Sequence, residues 1–227
     1  MKISEIFYSI QGEGMLTGVP SVFVRTSGCN LRCVWCDTPY TSWSPEGAEM
    51  TIEEILTPVR SFPAQHAVVT GGEPMIAPGI VELTEGIRGL GLHITIETAG
   101  TVFQPVACDL MSISPKLENS TPFEREGGKW VAQHERVRYQ PEVLRQLITE
   151  YEYQLKFVVA SPEDITEIAT MLDDIHADRT RVVLMAEGTT SEVIRERAAW
   201  LAEICKQEGF RYSPRLHIDL WGNKRGV

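Results

Sequence analysis

With 227 residues, 43% of them hydrophobic, the chain can bury a sizeable core and falls within the range of one α/β domain, so a single domain over residues 1–227 is expected. Its 21 Lys and Arg against 31 Asp and Glu leave a formal charge of −10, which repels phosphate backbones and anionic lipid. That balance argues against nucleic-acid and membrane partners and for a small-molecule substrate. Glu5 stands where a signal peptide carries its apolar run, and no stretch approaches the roughly 18 apolar residues of a membrane span, so a cytoplasmic protein is expected.

The first informative segment is Ile10-Gln11-Gly12-Glu13-Gly14, a polar turn whose two glycines permit close backbone approach to a flat ligand while Gln11 and Glu13 offer hydrogen-bonding groups. A strand is predicted at Ser21–Thr26, where Arg25 interrupts an apolar alternation and needs a partner if buried. Cys29, Cys33 and Cys36 follow, then Asp37-Thr38-Pro39, which has turn composition. Thr51 and Glu54 have the spacing of a capping box. Strands are predicted at Ala67–Thr70, leading into Gly71-Gly72-Glu73-Pro74, at His93–Glu97, closing on Glu97-Thr98, and at Asp109–Ser114, leading into Pro115-Lys116. Leu117–Tyr151 has the weakest periodicity and reads as a mobile excursion near the site. A strand at Gln154–Val159 comes next, then Ser161-Pro162 as an N-cap with Pro at the first helical position, and a strand at Arg181–Met185. A helix over Ser191–Gln207 is closed by Gly209, and a last strand is predicted at Arg215–Leu220 before the basic tail Trp221–Val227.

The alternation of strands and helices predicts six or seven βα-like units around a mostly parallel sheet. A full eightfold barrel typically takes about 250 residues. A chain of 227 that also carries an N-terminal extension and a cysteine loop therefore suggests an α/β fold built as a partial, open TIM-like barrel. In such folds active sites assemble at the C-terminal ends of the strands, where Cys29, Gly71–Pro74, Glu97 and Ser114–Lys116 all fall.

Five cysteines is an odd number, and three of them lie within eight residues, so metal binding is preferred to disulfides in a reducing compartment. Cys108 and Cys205 sit in apolar stretches as small core residues. Three thiolates in one short loop suit an iron–sulfur cubane with one iron left open for a ligand, since four thiolates commonly complete such a cluster. The alternative is a structural zinc site completed by Cys108 or a histidine, in a protein that acts only by interaction, although no second C-x₂-C pair or H-x₃₋₅-H partner supports it. The C-x₃-C-x₂-C spacing with Trp35 before the last cysteine resembles the signature of the radical S-adenosylmethionine superfamily. That resemblance implies a [4Fe–4S] cluster on Cys29, Cys33 and Cys36 whose open iron chelates S-adenosylmethionine and whose electron releases a 5′-deoxyadenosyl radical. Gly71-Gly72-Glu73-Pro74 resembles the superfamily's Gly-Gly-Glu segment, which contacts the methionine amino group; on its own it is a strand-to-helix turn.

Further segments, from the N-terminal turn to the tail, resemble the 7-carboxy-7-deazaguanine synthase family of queuosine precursor synthesis. The family implies conversion of 6-carboxy-5,6,7,8-tetrahydropterin to 7-carboxy-7-deazaguanine with loss of ammonia, S-adenosylmethionine being regenerated. By the same resemblance Ile10, Gln11, Gly12, Glu13, Arg25, Thr70, His217 and Val227 are expected to meet the substrate. Trp35, Cys36, Asp37, Gly72, Glu73, Ser114, Pro115 and Lys116 are expected around S-adenosylmethionine, and Thr38 is expected to ligate Mg²⁺ that bridges to the substrate carboxylate. It also implies a homodimer, an electron donor such as a flavodoxin-type protein, and a tail that closes the site. Glycyl-radical activases share the cysteine spacing but usually carry Asn where this chain has Thr38. No general acid or base is assignable from the sequence.

Overall fold

In the computed structural model, which describes residues 1–227, nine strands form one sheet in the order β3-β1-β2-β4-β5-β6-β7-β8-β9. The strands are β1 (Lys2–Ile10), β2 (Pro20–Thr26), β3 (Ala48–Glu49), β4 (His66–Gly71), β5 (His93–Thr98), β6 (Leu110–Ile113), β7 (Tyr153–Val159), β8 (Val182–Ala186) and β9 (Arg211–Ser213). From β2 to β9 every neighbour is parallel, whereas β1 runs antiparallel to β2 and β3 antiparallel to β1. The sheet does not close on itself, so it is an open TIM-like array.

Helices cover one side of the parallel strands, and a concave, partly polar interior occupies the other. Period-2 alternation sorts the side chains. Val22, Val24, Ala67, Val69, Ile94, Ile96, Met111, Ile113, Leu155 and Phe157 join the buried core beneath the helices. Arg25, Thr70, Glu97, Ser112, Lys156 and Met185 have the opposite parity and line the interior. The helices are α1 (Pro39–Ser42), α2 (Ile52–Ser61), α3 (Ile80–Gly89), α4 (Val131–Arg138), α5 (Pro141–Glu150), α6 (Asp164–Ile175), α7 (Ser191–Glu208) and α8 (Leu216–Trp221). The Thr51 and Glu54 capping box opens α2, and Gly209, at φ +73°, closes α7 in the left-handed conformation glycine favours.

Four expectations need correction. Arg215–Leu220 is not a strand: β9 stops at Ser213, Pro214 has no N–H for a ladder, and the alternating Leu216, Ile218 and Leu220 wind into α8 with only Ile218 buried. The N-terminal extension is the strand β1, missed because Lys2, Ser4, Glu5 and Ser9 blunt its apolar pattern. The helix α6 starts at Asp164 rather than Pro162, since the Asp164 carboxylate accepts the Ala160 and Ser161 N–H groups at 2.7 and 3.1 Å and holds that stretch as a turn. Leu117–Tyr151 is more regular than its weak periodicity suggests: it contains α4 and α5, anchored by buried Leu117, His134, Leu144 and Leu147. Cys205 is buried and Cys108 packs half-buried against the core. No helix is long and apolar enough to cross a membrane.

Candidate active site

One cavity opens on the concave face at the C-terminal ends of the parallel strands, and the cysteine loop forms part of its wall. The loop leaves β2 at Thr26 and is fixed by backbone and side-chain hydrogen bonds alike. Gly28 N–H donates to Thr41 O at 2.8 Å, and Glu73 N–H donates to Gly28 O at 2.9 Å. A Cβ on Gly72 would sit 2.1 Å from Gly28 O, so glycine is required where the Gly-Gly-Glu segment passes under the loop. From the other side Trp43 Nε1 donates to Cys33 O at 3.0 Å and Trp35 Nε1 to Asn119 O at 3.0 Å. The Arg32 N–H donates to His134 Nδ1 at 3.1 Å, and burial pulls that imidazole down to about 4, so it stays neutral and able to accept. Thus α4 braces the loop at the residue before Cys33.

Cys29, Cys33 and Cys36 are free thiols that border the same cavity. Burial pushes the Cys33 thiol up to about 12, and burial with the neighbouring Cys33 also raises Cys29. Buried thiolates therefore need cationic metal beside them. Cys108 lies outside the cavity with Sγ 3.8 Å from Ile94 O, and His134 is committed to Arg32 and Ser120, so neither completes a four-ligand zinc site. Three cysteines on one cavity with no fourth thiolate beside them suit an iron–sulfur cluster with one open iron.

Opposite the cysteines, Gln11, Gly12 and Glu13 leave β1 and enter a buried polar network. Gln11 Nε2 donates to Glu97 Oε1 at 3.2 Å, and the Thr70 hydroxyl donates to Glu97 Oε2 at 2.8 Å. Glu13 Oε2 lies 2.5 Å from Lys156 Nζ, which is 3.7 Å from Glu97 Oε1. Glu13 Oε1 accepts from Arg215 Nε at 3.0 Å, and a second nitrogen of Arg215 pairs with Asp37. Burial alone would raise the Glu13 and Asp37 carboxyls, but Lys156 and Arg215 at Glu13, and Arg215 at Asp37, outweigh it and hold both below the ordinary range. Burial lowers the His217 imidazole. Arg25 Nε lies 2.8 Å from Glu5 Oε1 at an angle that makes an ion pair rather than a hydrogen bond, with the guanidinium 5.5 Å from the Phe7 ring centroid.

The structure brings Ile10, Gln11, Gly12, Glu13, Arg25, Trp35, Cys36, Asp37, Thr38, Thr70, Gly72, Ser114, Lys116, His217 and Val227 to this one cavity. Glu73 does not border the cavity. It is wholly buried, and its carboxylate accepts from Thr98 Oγ1 at 2.7 Å, Ala99 N at 2.8 Å and Met75 N at 3.1 Å. The carboxylate thus organises the loops below the cavity wall instead of lining it, with burial raising its pKa. Pro115 also lies outside the wall, because alternation turns it away between Ser114 and Lys116. Glu97, expected only as a residue at a site-forming strand end, Lys156 and Arg215 were assigned no role in the site. The first two carry the signal that marks Arg25, a charge inside an apolar strand; Arg215 carries none.

An open βα sheet whose strand ends hold three free cysteines above a Gly-Gly-Glu turn defines a radical S-adenosylmethionine enzyme, and residues 23–115 match the radical SAM superfamily. The 7-carboxy-7-deazaguanine synthase of Halobacterium salinarum is 45% identical over 98% of this chain and 91% of its own length, and that of Rhodopirellula baltica 46% identical over 99% and 88%. The crystal structure of QueE from Escherichia coli superposes with a TM-score of 0.70 at 27% identity, covering 95% of this chain and 94% of that one. The chain belongs to the 7-carboxy-7-deazaguanine synthase family.

Proposed function

We propose that this chain converts 6-carboxy-5,6,7,8-tetrahydropterin to 7-carboxy-7-deazaguanine with loss of ammonia. The observation that carries the reading is that the three free cysteines and the Ile10–Glu13 turn border one cavity. The conversion is redox-neutral, since departure of ammonia accounts for every atom, which agrees with S-adenosylmethionine being regenerated. When bound to Cys29, Cys33 and Cys36, a [4Fe–4S] cluster supplies the electron that cleaves S-adenosylmethionine. Gly72, Ser114 and Lys116 border the cofactor's part of the cavity in this reading, with Trp35, Cys36 and Asp37 beside them. The pterin ring lies against Gln11, Gly12, Glu13 and Thr70, whose donors and acceptors suit its polar edge. Arg25 faces the substrate carboxylate, a match of planar guanidinium to carboxylate. Thr38 offers a hydroxyl to Mg²⁺, which takes its remaining ligands from water and substrate oxygens. His217 and Val227 close the substrate end.

The same reading includes one domain, a homodimer and a flavodoxin-type electron donor. The decisive experiment incubates reduced, cluster-loaded protein with 6-carboxytetrahydropterin, S-adenosylmethionine and Mg²⁺. Formation of 7-carboxy-7-deazaguanine supports it, and absence of that product with intact cluster overturns it. About four irons per chain, lost in Cys33→Ala, support the cluster against zinc.

A further inference from the structure

Arg215 is 6% exposed and reaches three separate segments with one side chain. Its Nε donates to Glu13 Oε1 at 3.0 Å, its Nη2 pairs with Asp37, and its Nη1 donates to Gly188 O at 2.5 Å in the loop after β8. Glu13 belongs to the turn that follows β1, and Asp37 directly follows Cys36. The guanidinium therefore joins the two loops that face each other across the cavity. The link continues in the next residue, where Leu216 N–H donates to Gly12 O at 2.9 Å. On the other side Glu13 passes to Lys156, Lys156 to Glu97, and Glu97 to Gln11 and Thr70, so the chain of contacts from Asp37 to Thr70 is unbroken.

A buried ion pair is a poor way to stabilise a fold, because apolar residues of similar volume often do as well. What a guanidinium adds is geometry: a planar fork sets two carboxylates at a fixed separation, which the point charge of a lysine does not. Hydrogen transfer between a substrate carbon and the adenosyl carbon depends steeply on that kind of fixed placement. We infer that Arg215 is a positioning residue for this reaction, holding the substrate turn at Glu13 in register with the cysteine loop at Asp37. The inference rests on the proposed function only for the identity of the product measured.

Without correct register, cleavage of S-adenosylmethionine by one electron from the reductant still proceeds. The adenosyl radical is then quenched by a second electron from dithionite and a solvent proton, releasing 5′-deoxyadenosine and methionine in place of a completed turnover. The test measures 7-carboxy-7-deazaguanine and 5′-deoxyadenosine in the same dithionite-reduced reactions of wild type, R215K, D37N and the double variant, with iron content determined for each. Iron is expected to stay unchanged in R215K while product per 5′-deoxyadenosine falls at least about tenfold. The double variant should fall no further than the worse single variant, because both cut one connection. Independently of turnover, deuterium exchange of unreduced R215K should quicken together in residues 11–14 and 33–38. If R215K fails to retain iron, D37N, which removes only one arm, carries the same expectations. Parallel falls in product and 5′-deoxyadenosine, additive effects in the double variant, or exchange confined to one loop overturn the inference. Wild-type protein that releases 5′-deoxyadenosine but no deazaguanine overturns the substrate reading alone, and the exchange measurement then decides this inference.

Discussion

The ring of His217 occupies the space above the Cα of Gly12, where an added Cβ would lie 2.0 Å from Nδ1. The backbone of Gly12 is not in a positive-φ conformation, so glycine is needed there for proximity alone. Gly12→Ala must displace either the imidazole or the turn, and both border the cavity. Its kcat/KM should fall at least about tenfold with iron content unchanged. In a His217→Ala background the same substitution should cost little more, because the obstructing ring is gone. Equal losses in both backgrounds would show that the turn tolerates no methyl for some other reason.

His134 gives the cysteine loop a pH-dependent brace. Its imidazole is held near 4 against an ordinary value of 6.5, chiefly by burial, so the folded chain keeps it neutral where the unfolded chain begins to protonate. The group's contribution is complete above pH 6.5 and is lost as pH falls from there toward 4, on the order of 2 kcal/mol by pH 5. His134→Gln lacks this titration. It should be less stable than wild type at pH 7.5, by about 1–3 kcal/mol for the weakened bonds to Arg32 and Ser120, and the gap should narrow steadily to pH 5. Thermal midpoints of the two proteins across that range check it, a constant gap being the contrary result.

The sequence made the parallel strands legible because doubly buried strands are short apolar runs bounded by turn residues, as in Val22–Val24 and Ala67–Val69. The same periodicity explains the site: once strand order is known, the parity of Arg25 and Thr70 also assigns Glu97 and Lys156 to the interior. Lys156 in particular lies between Leu155 and Phe157 and could have been read as Arg25 was. The C-terminal segment was not legible. Leu216, Ile218 and Leu220 alternate as a strand does, and only the absence of a ladder beyond Pro214 turns them into α8. Arg215 was invisible for a different reason: its partners Glu13 and Asp37 lie 202 and 178 residues away in the chain, and it reads only as the first residue of a strand.

Thr38 precedes α1 at its N-cap position, yet its hydroxyl makes no capping bond. The nearest groups to Oγ1 are the Thr41 hydroxyl at 3.4 Å and Cys36 Sγ at 3.8 Å, both weak contacts. An oxygen so placed at a cavity wall can accept a cation without breaking a structural bond. Thr38→Ala should therefore retain about four irons per chain while its activity falls and responds less to added Mg²⁺. Loss of iron in the variant would assign the hydroxyl to the cluster loop's structure instead.

Lys156 balances two partly buried carboxylates, with Glu13 Oε2 at 2.5 Å and Glu97 Oε1 at 3.7 Å, and its side chain is only 7% exposed. Burial disfavours its ammonium, but the two carboxylates more than compensate and raise its pKa. Lys156→Met removes the cation and leaves both acids in place, which should cost about 3–5 kcal/mol, the range for breaking a buried pair from one side. Without Lys156, burial, the largest influence on Glu13, is opposed only by Arg215 and His217, so the Glu13 carboxyl should rise above its unfolded value. Stability tied to a raised carboxyl is present at low pH and lost as pH rises, so the deficit of Lys156→Met should be largest near pH 8 and shrink toward pH 5. Unfolding midpoints of wild type and variant at several pH values measure this, and a deficit that grows on acidification would place the missing charge elsewhere than on Glu13 and Glu97.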